Sequence, residues 1–373
     1  VRSIVALRIL LHDRSTTAGS VLGVVAIIFL VGQQLAVFFG LLSLMSSIID
    51  HSGADIWICS ENTDNLQAGG TLPIRYVDRV MGMDEVAWAE PFISSGGLLK
   101  RTDGKYQPVQ VVGLARPRLA GGPWRFADGG IELLLDYEAL SVDEADLGVL
   151  GDPRMQEIVE IAGTRVRIAA FTRNVEGFGG TLVYTNLSRA RAISNLPADR
   201  CSYVLVKLTA GTDPSAAVAR LRRLLPRTEV MTTQRFSAQT RLYYITNTGI
   251  GGSFAFSTLI GLLVGVVIIT LTMYTNILNR QKDFAVLRAI GARKWDLVVI
   301  VLFQALFIAL IGLFVGFLLL AFYLNGVRES PLPSYMIPWV PPVHAAVTIV
   351  LCIFGSLLAM RRATKIEPAS AFR

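Results

Sequence analysis

The chain has 373 residues, 52% of them hydrophobic and 17% charged, with a mean hydropathy of +0.51. That composition excludes an ordinary soluble enzyme and puts membrane spans ahead of any other feature. The net charge of +7 and the pI of about 9.5 do not point to nucleic acid, because the basic excess lies beside apolar runs.

Four charge-free runs, 15–49, 242–279, 297–327 and 331–360, are long enough for a helix to cross a bilayer, which takes about 20 residues. The first is too long for the apolar core of a signal peptide and lacks a convincing small-residue cleavage site, so it reads as an uncleaved signal anchor. It predicts a span over 18–48 with an extension on the outer side. Gln33 and Gln34 sit near its middle, where an amide either bonds to a neighbouring helix or meets a substrate.

The segment 49–248 reads as a folded outer domain. Residues 54–60 (Ala-Asp-Ile-Trp-Ile-Cys-Ser) alternate like a half-buried strand, and 72–83 reads as a helix. Residues 85–100 and 107–115 form paired strands, turned by Asp103-Gly104. Residues 157–173 make a hairpin around Ala162-Gly163-Thr164. A strand at 202–208, a helix at 213–225 capped by Asp213 with Pro214 in its first position, and a strand at 229–233 repeat the earlier pattern. Two β-α-β halves about 85 residues apart predict a split ferredoxin-like domain with a β-rich insert at about 116–198. Residues 235–247 return as a helix into the second span, 249–279.

A basic island at 280–296 separates spans two and three, and the third span covers 297–324. After a loop at 325–342, rich in proline, the fourth covers 343–360, ahead of a tail at 361–373. The residues before span one carry a net +2, the island +3, the tail +3, and the outer segment −1. Basic segments stay inside, so both termini and the island are cytoplasmic and the long segment is outside.

No G-x-x-x-x-G-K-[ST], H-E-x-x-H or G-x-S-x-G occurs in the sequence. No spacing singles out a pair of carboxylates, which read as solvated surface charge. The spans carry no Asp, Glu, Lys or Arg, which argues against a proton-coupled transporter. Cys59, Cys201 and Cys352 lack metal-ligand spacing; they read either as buried free thiols or as a Cys59–Cys201 bond beside one thiol.

Small residues recur every fourth position: Gly19 and Gly23 on span one, Gly249, Ser253, Ser257, Gly261 and Gly265 on span two, Gly312 and Gly316 on span three. Such faces let helices approach closely, either within the four-helix unit or as a homodimer seam through spans one and two. On a helical wheel the island places Phe284, Leu287, Arg288 and Gly291 together, opposite Lys282, Ala285, Val286 and Ala289. That is a helix gripped on two sides rather than one lying on lipid.

Asp283-Phe-Ala-Val-Leu-Arg-Ala-Ile-Gly-Ala292 and Arg362-Ala-Thr-Lys-Ile-Glu-Pro-Ala-Ser-Ala371 resemble the two cytoplasmic motifs of FtsX-like, MacB-type permeases of ABC transporters. Asp283 stands where Glu is common in that family. Residues 5–17 are similar to the family's leading helix, which implies an amphipathic cytoplasmic helix over 1–17. Ala54-Asp-Ile-Trp-Ile, Pro73-Ile-Arg-Tyr76 and Trp88-Ala-Glu-Pro91 resemble the DevC-type subgroup of exporters.

The resemblance implies a non-enzymatic permease that binds no cofactor itself, with ATP and Mg held by a separate ATPase subunit. It places ATPase coupling on Asp283, Phe284, Val286, Leu287, Arg288, Ile290 and Gly291. A homodimer, a periplasmic adaptor of the membrane-fusion type and an outer-membrane channel are the further partners it implies. Lipid or small-molecule export from a bacterial inner membrane is the expected function. The alternative is an FtsX-like signalling subunit that controls a periplasmic partner.

Overall fold

The first element is one uninterrupted helix, α1 (Arg14–Asp50), of 37 residues. At 1.5 Å per residue it is about 55 Å long, nearly twice the hydrocarbon thickness of about 30 Å. The computed structural model describes residues 14–279, 286, 291, 293–327 and 333–363. It divides into two compact units, an outer one over Leu41–Gly251 and a membrane one holding the remainder.

The outer unit is built on β1 (Ile56–Ser60), β2 (Leu72–Pro73), α2 (Arg75–Met81), β3 (Val86–Lys100) and β4 (Tyr106–Leu114), followed by β5 (Phe126–Asp128) and β6 (Ala139–Asp143). β7 (Ile158–Ile161), β8 (Thr164–Thr172), β9 (Thr181–Asn186) and α3 (Leu187–Ser194) come next. β10 (Arg200–Cys201), β11 (Tyr203–Leu208), α4 (Pro214–Leu224), β12 (Thr228–Thr232) and α5 (Thr233–Asn247) complete it.

The strands lie in the order β12-β1-β11-β3-β4-β9-β6-β8-β5. The first four are mutually antiparallel. β3 is long enough to serve both halves: Val86–Phe92 pairs with β11 and Ile93–Lys100 with β4. The inserted strands therefore extend the same hydrogen-bonded sheet. β4 and β9 run parallel, as do β6 and β8.

β1 is buried along its length rather than on one face. Ile56 and Ile58 pack with Val80 of α2 and Ala217 and Leu221 of α4. Trp57 and Cys59 face the other way, toward Phe92, Tyr203, Leu205 and Phe236 of α5. Alternation in this strand separates two cores, which corrects the half-buried expectation. Residues 72–83 also differ from the single helix expected. Pro73 holds Leu72 extended, Leu72–Pro73 pairs with Arg200–Cys201, and the helix covers only Arg75–Met81.

The hairpin turn follows the sequence closely, with Ala162 and Gly163 both at positive φ between β7 and β8. Asp213 caps α4 by accepting from the Ser215 and Ala216 amides, with Pro214 in the first turn. All three cysteines are free and buried. Cys59 and Cys201 belong to different cores on opposite faces of the sheet, so no bond joins them.

The membrane unit contains most of α1 with α6 (Ile250–Asn279), α7 (Lys294–Gly326) and α8 (Val340–Ala363). All four helices are long and apolar enough to cross a membrane. α8 starts earlier than 343, with Pro341 and Pro342 in its first turn, where no intrahelical N–H partner is lost. Gly249 adopts a φ of +75° and breaks the chain between α5 and α6, so it is a joint rather than part of span two's small-residue face.

α1 is the centre of this unit. Val24, Ile27, Ile28 and Val31 are buried against Ile269 and Met273 of α6, Ala305 and Ile308 of α7 and Cys352 of α8. α6 is the most exposed, with 11% of its most apolar stretch buried against 39–44% for the other three.

Candidate functional site

The 280–296 segment carries all seven predicted coupling residues, and Asp283, Phe284, Leu287, Arg288 and Ile290 lie outside the described residues. Of the other two, Val286 is helical and 58% exposed, and Gly291 has a φ of +104°. Just beyond, the Arg293 amide donates to Asp296 Oδ2 at 2.9 Å. That carboxylate occupies the first turn of α7, where it meets the positive end of the helix dipole. Trp295, beside it, is 68% exposed. The first 13 residues and, from the 362–371 motif, residues 364–371 also lie outside the described residues.

The small residues of spans one and two are used within this chain. A Cβ on Gly23 would lie 2.8 Å from Ile268, and one on Gly265 2.8 Å from Ile27. Gly261 is looser, with Val31 at 3.4 Å. Gly312 and Gly316 of α7 accept Val24 and Ile28 in the same way. Ser253 and Ser257 are exposed, and a Cβ at Gly19 would meet nothing within 4 Å among the described residues. The face predicted as continuous thus divides: its Gly261–Gly265 part receives α1, and its Ser253–Ser257 part points outward.

In the outer unit, the end of α1 is held by a polar network. Arg241 of α5 donates through Nε to Ser46 Oγ at 2.7 Å and through a terminal nitrogen to Asp50 Oδ2 at 2.6 Å. Ser46 Oγ also lies 2.7 Å from Asp50 Oδ2. On the adjacent residue, the Ser47 hydroxyl donates to the Glu176 carbonyl at 2.7 Å. His51 stacks on Trp124 with ring centroids 4.1 Å apart. The end of α1 is therefore fastened both to the helix preceding span two and to loops of the insert.

A carboxylate organises the receiving loop. Asp143, wholly buried at the end of β6, accepts from Thr172 Oγ1 at 2.9 Å, the Val175 amide at 2.8 Å and the Ala145 amide at 3.1 Å. Glu176 is half-buried, and desolvation, with Asp143 and then Asp146 nearby, pushes its carboxyl up to about 7. Asp146 is also raised, by desolvation and then by Asp143. Glu90, under the Ala120 amide, is raised by burial.

These carboxylates correct the expectation of solvated surface charge. Asp143 was not legible in the sequence because two of its three donors are 29 and 32 residues away. Among the described residues no three of His, Cys, Asp or Glu converge as metal ligands. The network holds the end of α1 in position.

Three membrane-length helices pack with the long first helix, and the α/β domain lies between spans one and two in the chain. A model of the MacB-like periplasmic core domain matches residues 16–224, more than half of the chain, and one of the FtsX-like permease C-terminal region matches 255–368. The chain belongs to the MacB/FtsX family of ABC transporter permeases.

Two uncharacterized ABC transporter permeases from strains of Mycobacterium tuberculosis are 34% identical over 113 residues, 30% of this chain and 31% of each relative. The chain spans about a third of the length of these curated relatives. Among solved structures, the periplasmic region of MacB from Actinobacillus actinomycetemcomitans is similar at 13% identity and a TM-score of 0.38, over 50% of this chain and 93% of that one. The extracellular domain of the noncanonic ABC-type transporter YknZ from Gram-positive bacteria is similar at 12% identity and a TM-score of 0.37, over 48% and 98%.

Proposed function

We propose that the chain is the permease subunit of an ABC exporter that works by mechanotransmission. Two copies assemble with a separate ATPase that binds ATP and Mg. Closure of that ATPase moves the 280–292 segment, and the spans carry the displacement to the outer domain. Asp283, Phe284, Val286, Leu287, Arg288, Ile290 and Gly291 make the ATPase contact. The observation that carries this reading is α1: one unbroken helix of 37 residues, fastened near its far end by Arg241 to the helix that leads into span two.

The finer features follow from the same reading. Both termini face the cytoplasm of a bacterial inner membrane, a reading supported by the positive charge of their flanks. The β12-β1-β11-β3 order, with α2 and α4 on one face, supports a split ferredoxin-like domain extended by its insert. An adaptor and an outer-membrane duct, in a DevC-like arrangement carrying lipid or a small molecule, complete the pathway.

Leu287→Asp tests the reading. In nanodiscs with the co-purifying ATPase, the variant should retain the fold and lose stimulation of ATP hydrolysis. Unchanged stimulation contradicts the assignment of this segment. Normal coupling with capture of a cell-wall hydrolase, and no transport, favours the signalling alternative.

A further inference from the structure

The segment 333–339, between the third and fourth spans, lies across α1 within the membrane unit. A Cβ on Gly40 would fall 2.3 Å from the Pro333 carbonyl oxygen and 2.7 Å from the Ser334 nitrogen, so the peptide rests directly on the glycine. The Tyr335 amide donates to the Ala36 carbonyl at 3.0 Å, one turn earlier on α1. The Trp339 ring meets Phe39 edge to face, with centroids 6.1 Å apart. A further turn back, a Cβ on Gly32 would lie 2.6 Å from Leu320 of α7 and 3.5 Å from His344 of α8. Gly32, Ala36 and Gly40 thus share one face of α1: Gly32 meets α7 and α8, and Ala36 and Gly40 meet the 333–335 peptide that precedes α8.

A helix carbonyl in mid-element already accepts from the amide four residues on, so a second donor from outside reflects close seating. Backbone stands against Gly40 rather than the end of a flexible side chain, so no rotamer change makes room for a larger residue.

We propose that residues 333–339 form a strap that locks α1 to the third and fourth spans, so that displacement entering through α7 reaches the helix that continues to Asp50. Tyr335, Gly40 and Ala36 are positioning residues, acting through the seating of the 333–339 segment on α1. The transmitting role rests on the mechanotransmission reading above; the docking of the strap does not.

Hydrogen exchange of the full chain in nanodiscs, with its co-purified ATPase, separates the two. In the wild type the Tyr335 amide should exchange slowly, and MgATP should alter exchange across 41–50. Gly40→Leu should speed Tyr335 exchange on the order of tenfold, as expected for one released hydrogen bond, and abolish the MgATP response while the ATPase stays bound. Gly326→Leu, at a position with open space among the described residues, should change neither. Rapid Tyr335 exchange in the wild type overturns the strap alone. A normal MgATP response in Gly40→Leu overturns its transmitting role. A wild type without any MgATP response overturns the mechanotransmission reading, and the transmitting role with it.

Discussion

Arg241 of α5 and Asp50 at the end of α1 meet within the outer unit, with the guanidinium 2.6 Å from the carboxylate and Ser46 completing the triangle. The pair is more than a third exposed on the arginine side, so it contributes little as a salt bridge alone. Arg241→Ala should lower stability by only about 1 kcal/mol, measured as thermal unfolding of the chain in nanodiscs. Its effect on ATP-driven motion should be larger, because the fastening is lost even where the fold survives. A drop of stability large enough to unfold the outer domain at room temperature would contradict this division.

Asp143 presents the opposite case. It is wholly buried, and its removal leaves the Thr172 hydroxyl and Val175 amide without their acceptor. Asp143→Ala should cost about 2–4 kcal/mol and speed amide exchange at Val175. A variant as stable as the wild type would show that water replaces the carboxylate without penalty.

Glu176 gives the outer domain a pH dependence of definite sign. Its carboxyl is raised from 4.5 to about 7 in the folded chain, by desolvation first and then by Asp143 and Asp146. The folded state therefore holds this proton more tightly than the unfolded state. The resulting stability is fully present below about pH 4.5 and is lost as the pH rises through about 7. After discounting for solvent screening, about 1–2 kcal/mol should be lost across that window, and Glu176→Gln should flatten the slope. Denaturation midpoints from pH 5 to 8 measure it, and identical slopes in both proteins would refute it.

Gly265 is set against Ile27, so Gly265→Val overpacks the contact between α6 and α1. The expected cost is about 1–3 kcal/mol, independent of protein concentration. Gly252→Val, with nothing within 4 Å of its Cβ position among the described residues, should be nearly silent. A Gly265→Val effect that disappears on dilution would assign this glycine to a seam between copies.

Local signals carried much of the fold. Asp213-Pro214 started a helix, Ala162-Gly163 turned a hairpin, and absence of charge marked four spans, because each depends on neighbours in sequence. What escaped depends on distant partners. Nothing near Val109–Leu114 announces a parallel pairing with Thr181–Asn186, and nothing near Leu72 announces Cys201. The Gly32-Ala36-Gly40 spacing was readable as another small-residue face, but its occupant, a loop 300 residues later, was not. The island at 280–296 stood out by its charge between two apolar runs, and most of it lies outside the described residues.

The central claim is that ATP moves the outer domain through this chain. Lys105, exposed at the tip of the β3–β4 hairpin, is a suitable reporter, and the three native thiols are buried. A spin label on Lys105→Cys in the nanodisc complex measures the distance between the two copies. The account predicts a distance distribution that shifts with MgATP, returns when nucleotide is removed, and stays fixed in Leu287→Asp. A distribution unchanged by MgATP while the bound ATPase continues to hydrolyse would contradict it.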